Sequence, residues 1–205
     1  WEGYEEIPAW IMEGYTTIAW ELFQQLEDLG GQMPTPLFLQ AGVGSFAGAI
    51  LGSFAARLGK DCPITCIVEP DRADCLYRSA RAADGKIHPV TGEMNSMMAG
   101  LCCGEPCTIS WEIISPGAVA FLSCSDEYSA MGMRLLGRPE PGDPAVVSGE
   151  SGAVGVGVLS AILHEEKLED LRWSLGLNES SRVLCISTEG DTDQANYQKI
   201  VGERV

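Results

Sequence analysis

An apolar strand signal followed at once by a glycine turn and a helix start, at residues 37–48, constrains this chain more than any other feature. The letters LFLQ give way to AGVGS, where Gly42 and Gly44 let the backbone turn tightly and approach a ligand. Such a turn presents unpaired N–H groups and the positive end of a helix dipole to an anion. The stretch therefore predicts a phosphate-binding turn, and a phosphorylated cofactor is the first hypothesis.

Helix and strand signals alternate along the rest of the chain. Amphipathic spacing predicts a helix over residues 5–29, closed by the glycine pair at 30–31. Strands are predicted at residues 37–40, 64–68, 119–123, 145–147 and 183–186. Further helices are predicted at 45–58, directly after Pro70, at 126–136 and up to His164, with an irregular region at 80–117. A βαβα succession predicts an α/β fold in which helices cover a mostly parallel sheet.

The charge balance narrows the choice of partner. Thirteen basic and 29 acidic residues give a formal net charge of −16. Nucleic acid and anionic membranes both require a basic face, so we expect a small-molecule ligand and neither of those partners. No apolar run reaches the roughly 20 residues of a spanning helix, and the first residues lack the basic start of a secretion signal. We therefore expect a cytoplasmic protein.

The eight cysteines raise the question of a metal site or a disulfide framework. No Cys-x-x-Cys pair occurs, and the intervals from Cys62 to Cys66 and from Cys103 to Cys107 are loose for metal ligands. We expect no metal site, and we interpret the cysteines as free thiols of a cytoplasmic enzyme.

The loops that follow the predicted strands are the candidate walls of a site. In an open parallel sheet, ligands bind beyond the carboxyl ends of the strands. The loops after Gln40, Val68, Val147 and Ile186 are therefore expected to surround the ligand, and three of them carry glycine with a polar group.

The glycine turn also fits the fingerprint of dinucleotide-binding proteins. Gly42-x-Gly44-x-x-Ala47 matches that pattern, and Glu69 ends the next strand about where an acid would meet a ribose hydroxyl. Glu69 is equally well interpreted as an acid that caps a helix and needs no ligand. From spacing alone, NAD and another phosphorylated cofactor both stay open.

Six blocks of the sequence closely resemble those of the diaminopropionate ammonia-lyases. They are EGYTT at 13–17, LQAGVGS at 39–45, VEPDRADC at 68–75, MAGLCCGEP at 98–106, SGESGAVG at 148–155 and ISTEGDTD at 186–193. The resemblance runs along the whole chain but covers only the C-terminal half of those enzymes. It implies pyridoxal 5'-phosphate as cofactor, a homodimer in the complete enzyme, and an incomplete three-layer fold of the tryptophan synthase β-like type (fold type II).

The same resemblance assigns the site residues. The family's phosphate loop matches Ala41, Gly42, Val43, Gly44 and Ser45. Glu150 matches a glutamate beside the pyridine ring, and Ser187, followed by Thr188, matches the hydroxyl that meets the ring nitrogen. A neutral partner there would leave that nitrogen unprotonated, a setting that suits β-elimination. Without the resemblance, Ser187 is equally well interpreted as a cap at the end of a strand.

The implied reaction is αβ-elimination of 2,3-diaminopropionate to pyruvate and ammonia. The family's Schiff-base lysine and the carboxylates that take the α-proton match positions upstream of Trp1. The lysines of this chain stand in no such motif: Lys60, Lys86, Lys167 and Lys199. We therefore expect residues 1–205 to be the C-terminal portion of a catalytic domain, without catalytic residues and inactive alone. A first residue Trp1 in place of Met supports a truncated start.

Three further expectations complete the sequence-based hypotheses. The resemblance implies that Cys75 and Cys103 form a candidate disulfide near the entrance of the active site, redox-sensitive in a cytoplasm. Two functions from other classes stay open beside the lyase. One is an NAD-binding oxidoreductase domain, and the other is a non-catalytic module that retains the fold.

Overall fold

A parallel four-stranded sheet forms the centre of the structure, a computed structural model that describes residues 3–202. Its strands are β1 (Pro36–Gln40), β2 (Ile64–Pro70), β3 (Ala120–Cys124) and β4 (Leu184–Cys185), in the order β3-β2-β1-β4. Every strand pairing is parallel, which confirms the predicted α/β class.

Eight α-helices are found in the described range. They are α1 (Glu6–Asp28), α2 (Ser45–Leu58), α3 (Cys75–Ala82), α4 (Thr108–Gly117), α5 (Asp126–Gly137), α6 (Glu150–His164), α7 (Glu169–Ser174) and α8 (Gln194–Val201). Within residues 3–202, no helix combines the length and the apolar character that crossing a membrane requires.

Strand β1 separates two hydrophobic layers because its side chains alternate between the faces of the sheet. Leu37 and Leu39 pack into a cluster with residues of α1, α2 and α4. Phe38 packs on the other face against residues of α6. All five residues of β1 are buried, as expected for a parallel strand covered on both sides. The result is the three-layer arrangement that the resemblance implied.

The structure corrects the predicted elements after β2. Pro70 belongs to β2, where it lies opposite Cys124, and α3 begins only at Cys75. Residues 145–147 are not a strand, since Val146 donates its N–H to Leu136 O at the end of α5. Helices α4, α7 and α8 were not predicted. In α4, Trp111 and Ile114 are three residues apart and join the same cluster as α2, a helical spacing that Pro116 obscures.

Glu69 is a fully buried acid within β2, and its side chain is 0 % exposed. Its two carboxylate oxygens accept the N–H groups of Leu76 at 2.9 Å and Tyr77 at 2.7 Å, in the first turn of α3. The interpretation as a helix-capping acid is therefore confirmed, although the helix begins later than predicted. The interpretation of Glu69 as an acid facing a ribose hydroxyl is wrong, because no free surface reaches its carboxylate.

Helices α5 and α6 approach each other backbone to backbone. A Cβ added at Gly157 would lie 1.7 Å from Tyr128 O, and one added at Gly132 would lie 2.1 Å from Ala153 O. Real Cβ atoms do not come so close to backbone oxygens, so any larger residue forces the helices apart. This crossing fixes α6, whose first turn borders the cavity described below.

We expect Gly157→Ala to destabilise the protein by about 3 kcal/mol, because the added methyl group overlaps a backbone carbonyl that has no room to move. Gly14→Ala is the matched control, since a Cβ at Gly14 in α1 meets nothing within 4 Å. The control is expected to add about 0.5–1 kcal/mol, the usual gain of alanine over glycine inside a helix. Urea unfolding of both variants measures the difference, and equal stabilities would contradict the close approach.

Glu69 should make stability depend on pH. Burial raises the pKa of Glu69 from an ordinary value of 4.5 to about 8, although the N–H groups of Leu76 and Tyr77 lower it. The folded protein therefore holds this proton between those pH values while the unfolded chain releases it, so the free energy of unfolding falls as pH rises through this window.

We expect the free energy of unfolding of Glu69→Gln to lack this decrease with rising pH, because the amide does not titrate. The measurement is urea unfolding at several pH values across the window. Glu140→Gln, at an exposed acid, is the control and should keep the wild-type slope. Parallel pH profiles for wild type and Glu69→Gln would show that the buried carboxyl does not titrate there.

Candidate functional site

A cavity of about 540 Å³ opens at the carboxyl ends of β1 and β4. Its walls are formed by the turn after β1, by the segment after β4, by the first turn of α6, by residues 100–103 and by α1. The loops after Gln40 and Ile186 therefore border the ligand space as predicted. The loop after Val68 does not, because it leads into the buried cap of α3.

The turn after β1 requires glycine at position 44. Gly44 has φ +93° and directly precedes α2. A Cβ there would lie 2.8 Å from Ser110 Oγ and 2.9 Å from Ile114 Cδ1, both on α4. Ser110 also donates its hydroxyl to the carbonyl oxygen of Val43 at 3.0 Å. Packing against α4 therefore holds the turn in one shape.

The turn leaves backbone donors unpaired at the cavity. In the part of the chain that the structure describes, the N–H groups of Gly42 and Gly44 have no backbone acceptor, and the N–H of Ser45 stands in the first turn of α2. Ala41 differs, because its N–H donates to Val68 O at 2.9 Å and continues the sheet. Unpaired N–H groups at a helix start are what an anion such as phosphate binds. The residues present fit that group.

The segment after β4 forms the opposite wall. Ser187 and Thr188 are exposed to the cavity. Ser187 donates its hydroxyl to Ser148 Oγ at 2.8 Å, whereas Thr188 Oγ1 accepts the side-chain amide of Gln40 at 2.9 Å. The segment is thereby tied both to β1 and to the residues before α6.

Two acids stand near this wall, and only one lines the cavity. Glu189 is a lining residue whose carboxylate accepts the N–H of Ser151 in the first turn of α6. Glu150, expected beside a ring, is buried away from the lining, and its carboxylate accepts the amide of Asn196 at 2.6 Å. Its role stays a prediction.

Sequence reasoning gave no role to Gln40, Ser151 or Glu189, although all three line the cavity. The signal for Gln40 was present, since it is the single polar residue of an otherwise apolar strand. Nothing in the spacing of Glu189 and Ser151 indicated that they meet, because the contact joins positions 38 residues apart.

Cys75 and Cys103 lie on either side of Gly42. The Cys75 thiol is 3.8 Å from the Gly42 carbonyl oxygen, and a Cβ on Gly42 would be 3.2 Å from Cys103 Sγ. Burial raises the pKa of both thiols. All eight cysteines are free in the structure, so the disulfide is not formed there and stays a prediction. Within residues 3–202, no group of His, Cys, Asp or Glu side chains could hold a metal ion.

None of the four lysines lines the cavity. Lys60 pairs with Asp61 at 3.8 Å, and Lys167 pairs with Glu165 at 2.8 Å, both on the surface. The described residues therefore place no lysine amino group where it would meet a ligand at the turn.

The chain was compared with curated proteins of known function. Diaminopropionate ammonia-lyase of Salmonella typhimurium is 50 % identical over 202 residues, which are 98 % of this chain and 50 % of that protein. The protein of the same name from Escherichia coli K12 is 48 % identical over 203 residues, again covering 50 % of its length. The chain thus spans about half the length of the curated relatives it matches.

Solved structures agree with this result. The chain superposes with a TM-score of 0.89 and 47 % identity on Escherichia coli diaminopropionate ammonia lyase, crystallised in complex with an aminoacrylate-PLP azomethine reaction intermediate. The superposition covers 98 % of this chain and 50 % of that one. Maize serine racemase gives a TM-score of 0.69 at 18 % identity over 92 % of this chain and 52 % of its own, a likeness of fold alone.

Comparison with a family profile identifies the family of the chain. The profile described as pyridoxal-phosphate dependent enzyme matches residues 3–189, which is most of the chain and includes both walls of the cavity. The parallel sheet, the glycine turn before α2 and the unpaired N–H groups are consistent with that match. The chain belongs to the family of pyridoxal-phosphate dependent enzymes.

Proposed function

We propose that the whole protein containing this chain is a pyridoxal 5'-phosphate-dependent ammonia-lyase that converts 2,3-diaminopropionate to pyruvate and ammonia. The observation that carries the proposal is the cavity in which an anion-binding turn faces a pair of hydroxyls. Relatives that carry this activity in their names are about half identical to the chain over nearly its whole length, which supports the substrate. We propose residues 1–205 as the C-terminal portion of the catalytic domain of a cytoplasmic homodimer.

The turn is proposed to hold the phosphate of the cofactor. Unpaired N–H groups of Gly42 and Gly44 and the first N–H groups of α2 supply donors, and the helix dipole adds favourable charge. The remaining members of the loop shape it: Ala41 anchors it to the sheet, and Val43 anchors it to α4. Backbone donors suit a dianion because they do not titrate and cost no reorientation when the ligand binds.

The hydroxyl pair after β4 is proposed to face the ring end of the cofactor. When bound, pyridoxal phosphate supplies an electron sink that stabilises negative charge at the substrate Cα. Ser187 and Thr188 are neutral and keep the ring nitrogen in an uncharged environment. Glu150 is proposed to lie beside the ring, and its carboxylate also holds α8 against the first turn of α6 by accepting the amide of Asn196.

The proton-transfer chemistry is proposed to come from outside this chain. None of the four lysines lines the cavity, and the carboxylate of Glu189, which does, accepts the N–H of Ser151. The residues described here bind and orient, whereas the lysine and the general bases would belong to the remainder of the whole protein.

The alternative functions have less support. An NAD-binding domain requires an acid that meets the ribose hydroxyls, and Glu69 is fully buried against α3. A non-catalytic module does not need unpaired N–H groups in the turn, whereas the turn has them among the described residues.

We expect the 205-residue chain, mixed with 2,3-diaminopropionate and pyridoxal phosphate, to release no pyruvate above the rate of the free cofactor, because it supplies no lysine at the cavity. The whole protein should release pyruvate, measured by a coupled dehydrogenase assay. An inactive whole protein would overturn the proposed lyase. Comparable turnover by the 205-residue chain would instead overturn the assignment of the lysine and the general bases to the remainder of the whole protein.

Gly44→Ala in the whole protein should weaken pyridoxal phosphate binding by about tenfold or more, because the added methyl group pushes the turn away from α4 and misaligns its donors. Gly52→Ala is the control, since a Cβ at Gly52, further along α2, makes only ordinary contacts at 3.6 and 3.7 Å with Ile113. Titration of each protein with the cofactor, followed by absorbance, gives the two Kd values. Equal affinities would argue against the turn as the phosphate site.

A further inference from the structure

A second cavity, of about 340 Å³, adjoins the cavity of the candidate site. Val43, Ser45 and Cys103 line both cavities, so the glycine turn and the segment around Cys103 form a shared border between them. The remaining lining comes from Tyr4, from two residues of α1 and from residues 104–107. We call this second cavity the side pocket. Because of the shared border, it is open to a molecule that extends from a cofactor bound at the turn.

The side pocket is an apolar space with one acid. Among its lining residues within the described range, Glu105 is the single charged one, whereas side chains such as those of Pro8 and Ile11 are apolar. Glu105 is exposed, and it has no hydrogen-bond or ion-pair partner among residues 3–202. Glu189 in the neighbouring cavity differs, because its carboxylate accepts the N–H of Ser151. The carboxylate of Glu105 is therefore available to a ligand.

The backbone on both sides of Glu105 is held in place. On one side, Gly104 O accepts the N–H of Val90 at 2.7 Å, and a Cβ on Gly104 would lie 2.4 Å from Val90 O. On the other side, the N–H of Cys107 donates to Val43 O at 2.8 Å. Val43 belongs to the glycine turn itself, so the acid is kept at a set position relative to the proposed phosphate site.

An acid at this position complements one part of the proposed substrate. In 2,3-diaminopropionate, the carbon next to Cα carries a second amine, which is a cation when it is protonated. A carboxylate forms stronger hydrogen bonds with an ammonium group than with a neutral donor, and a nearby negative charge favours the protonated amine. A hydroxyl or a methyl group at the same carbon gains neither advantage. Glu105 therefore suits a substrate with an amine at this carbon.

We propose that the side pocket receives the β-ammonium group of the substrate and that Glu105 is the specificity-determining residue that selects this group over a neutral one. The inference rests on the proposed function, which supplies the diamino acid and places the cofactor at the turn. It gives this chain a role in the choice of substrate beside its role in holding the cofactor.

Glu105→Gln in the whole protein tests the role, because it removes the charge at nearly constant volume. The kcat/KM for 2,3-diaminopropionate should fall about tenfold or more, mainly through KM, as expected when a hydrogen bond between charged groups loses one charge. Serine, which carries a hydroxyl in place of the β-amine, is the neutral probe. Its inhibition constant should stay within about twofold of the wild-type value, since no ion pair is lost.

Three further variants separate charge from structure. Glu105→Asp keeps the negative charge and should retain more of the kcat/KM than Glu105→Gln, whereas Glu105→Lys places a like charge beside the ammonium group and should retain less. Glu112→Gln, at an exposed acid of α4 outside the lining, is the control and should change neither kcat/KM nor inhibition by serine.

The outcomes distinguish the two proposals. Equal losses for 2,3-diaminopropionate and serine, or an unchanged kcat/KM in both Glu105→Gln and Glu105→Lys, overturn the selecting role while the wild type still releases pyruvate. Weaker pyridoxal phosphate binding by Glu105→Gln overturns it as well, because the acid would then act on the cofactor. A wild-type protein that releases no pyruvate overturns the proposed function, and the inference falls with it.

Discussion

Burial of β1 on both faces is the constraint on which the rest of the structure depends. All five of its residues are covered by helices, so its backbone groups have to pair with β2 and β4 and not with water. Such a strand has to end where the chain can leave the interior. It does so in a turn packed against α4, where the N–H groups of Gly42 and Gly44 have no backbone acceptor among residues 3–202. The buried strand thus ends in the turn that is proposed to bind phosphate.

The second wall of the cavity depends on a contact that lies away from it. Gly132 and Gly157 let the backbones of α5 and α6 come into contact, and this contact fixes the position of the first turn of α6. The first turn of α6 then offers the N–H of Ser151 to Glu189, which holds the segment after β4. Because helix position and loop position are coupled in this way, a methyl group at the crossing acts on the site without touching a ligand.

Local patterns predicted the elements that carry their own signal. The sequence of α2 and the glycine turn before it gave the correct bounds, because apolar spacing and glycine are read within a few residues. The rule that ligands bind beyond the carboxyl ends of parallel strands predicted the segment after Ile186 as a wall of the cavity, and the resemblance added the proposed contact of Ser187 with a ring. The donors of Gln40 and the cap formed by Glu69 depend on partners brought near by the fold, at separations of 146 and seven residues. The helix predicted directly after Pro70 begins only at Cys75, because Pro70 pairs with Cys124 of β3, a contact that cannot be inferred from neighbouring residues.

Under the proposed function, this chain separates the binding of the cofactor from its chemistry. The groups proposed to contact the cofactor are backbone N–H groups and hydroxyls, which do not titrate near neutral pH. The acids beside it, Glu189 and Glu150, are engaged with Ser151 and Asn196. The proposed contacts with the cofactor therefore keep their protonation as pH changes, and the lysine and bases proposed for the remaining part of the protein carry the proton transfers. Because backbone N–H groups do not titrate, the lysine and bases can gain and lose protons without a change in the proposed hydrogen bonds to the phosphate.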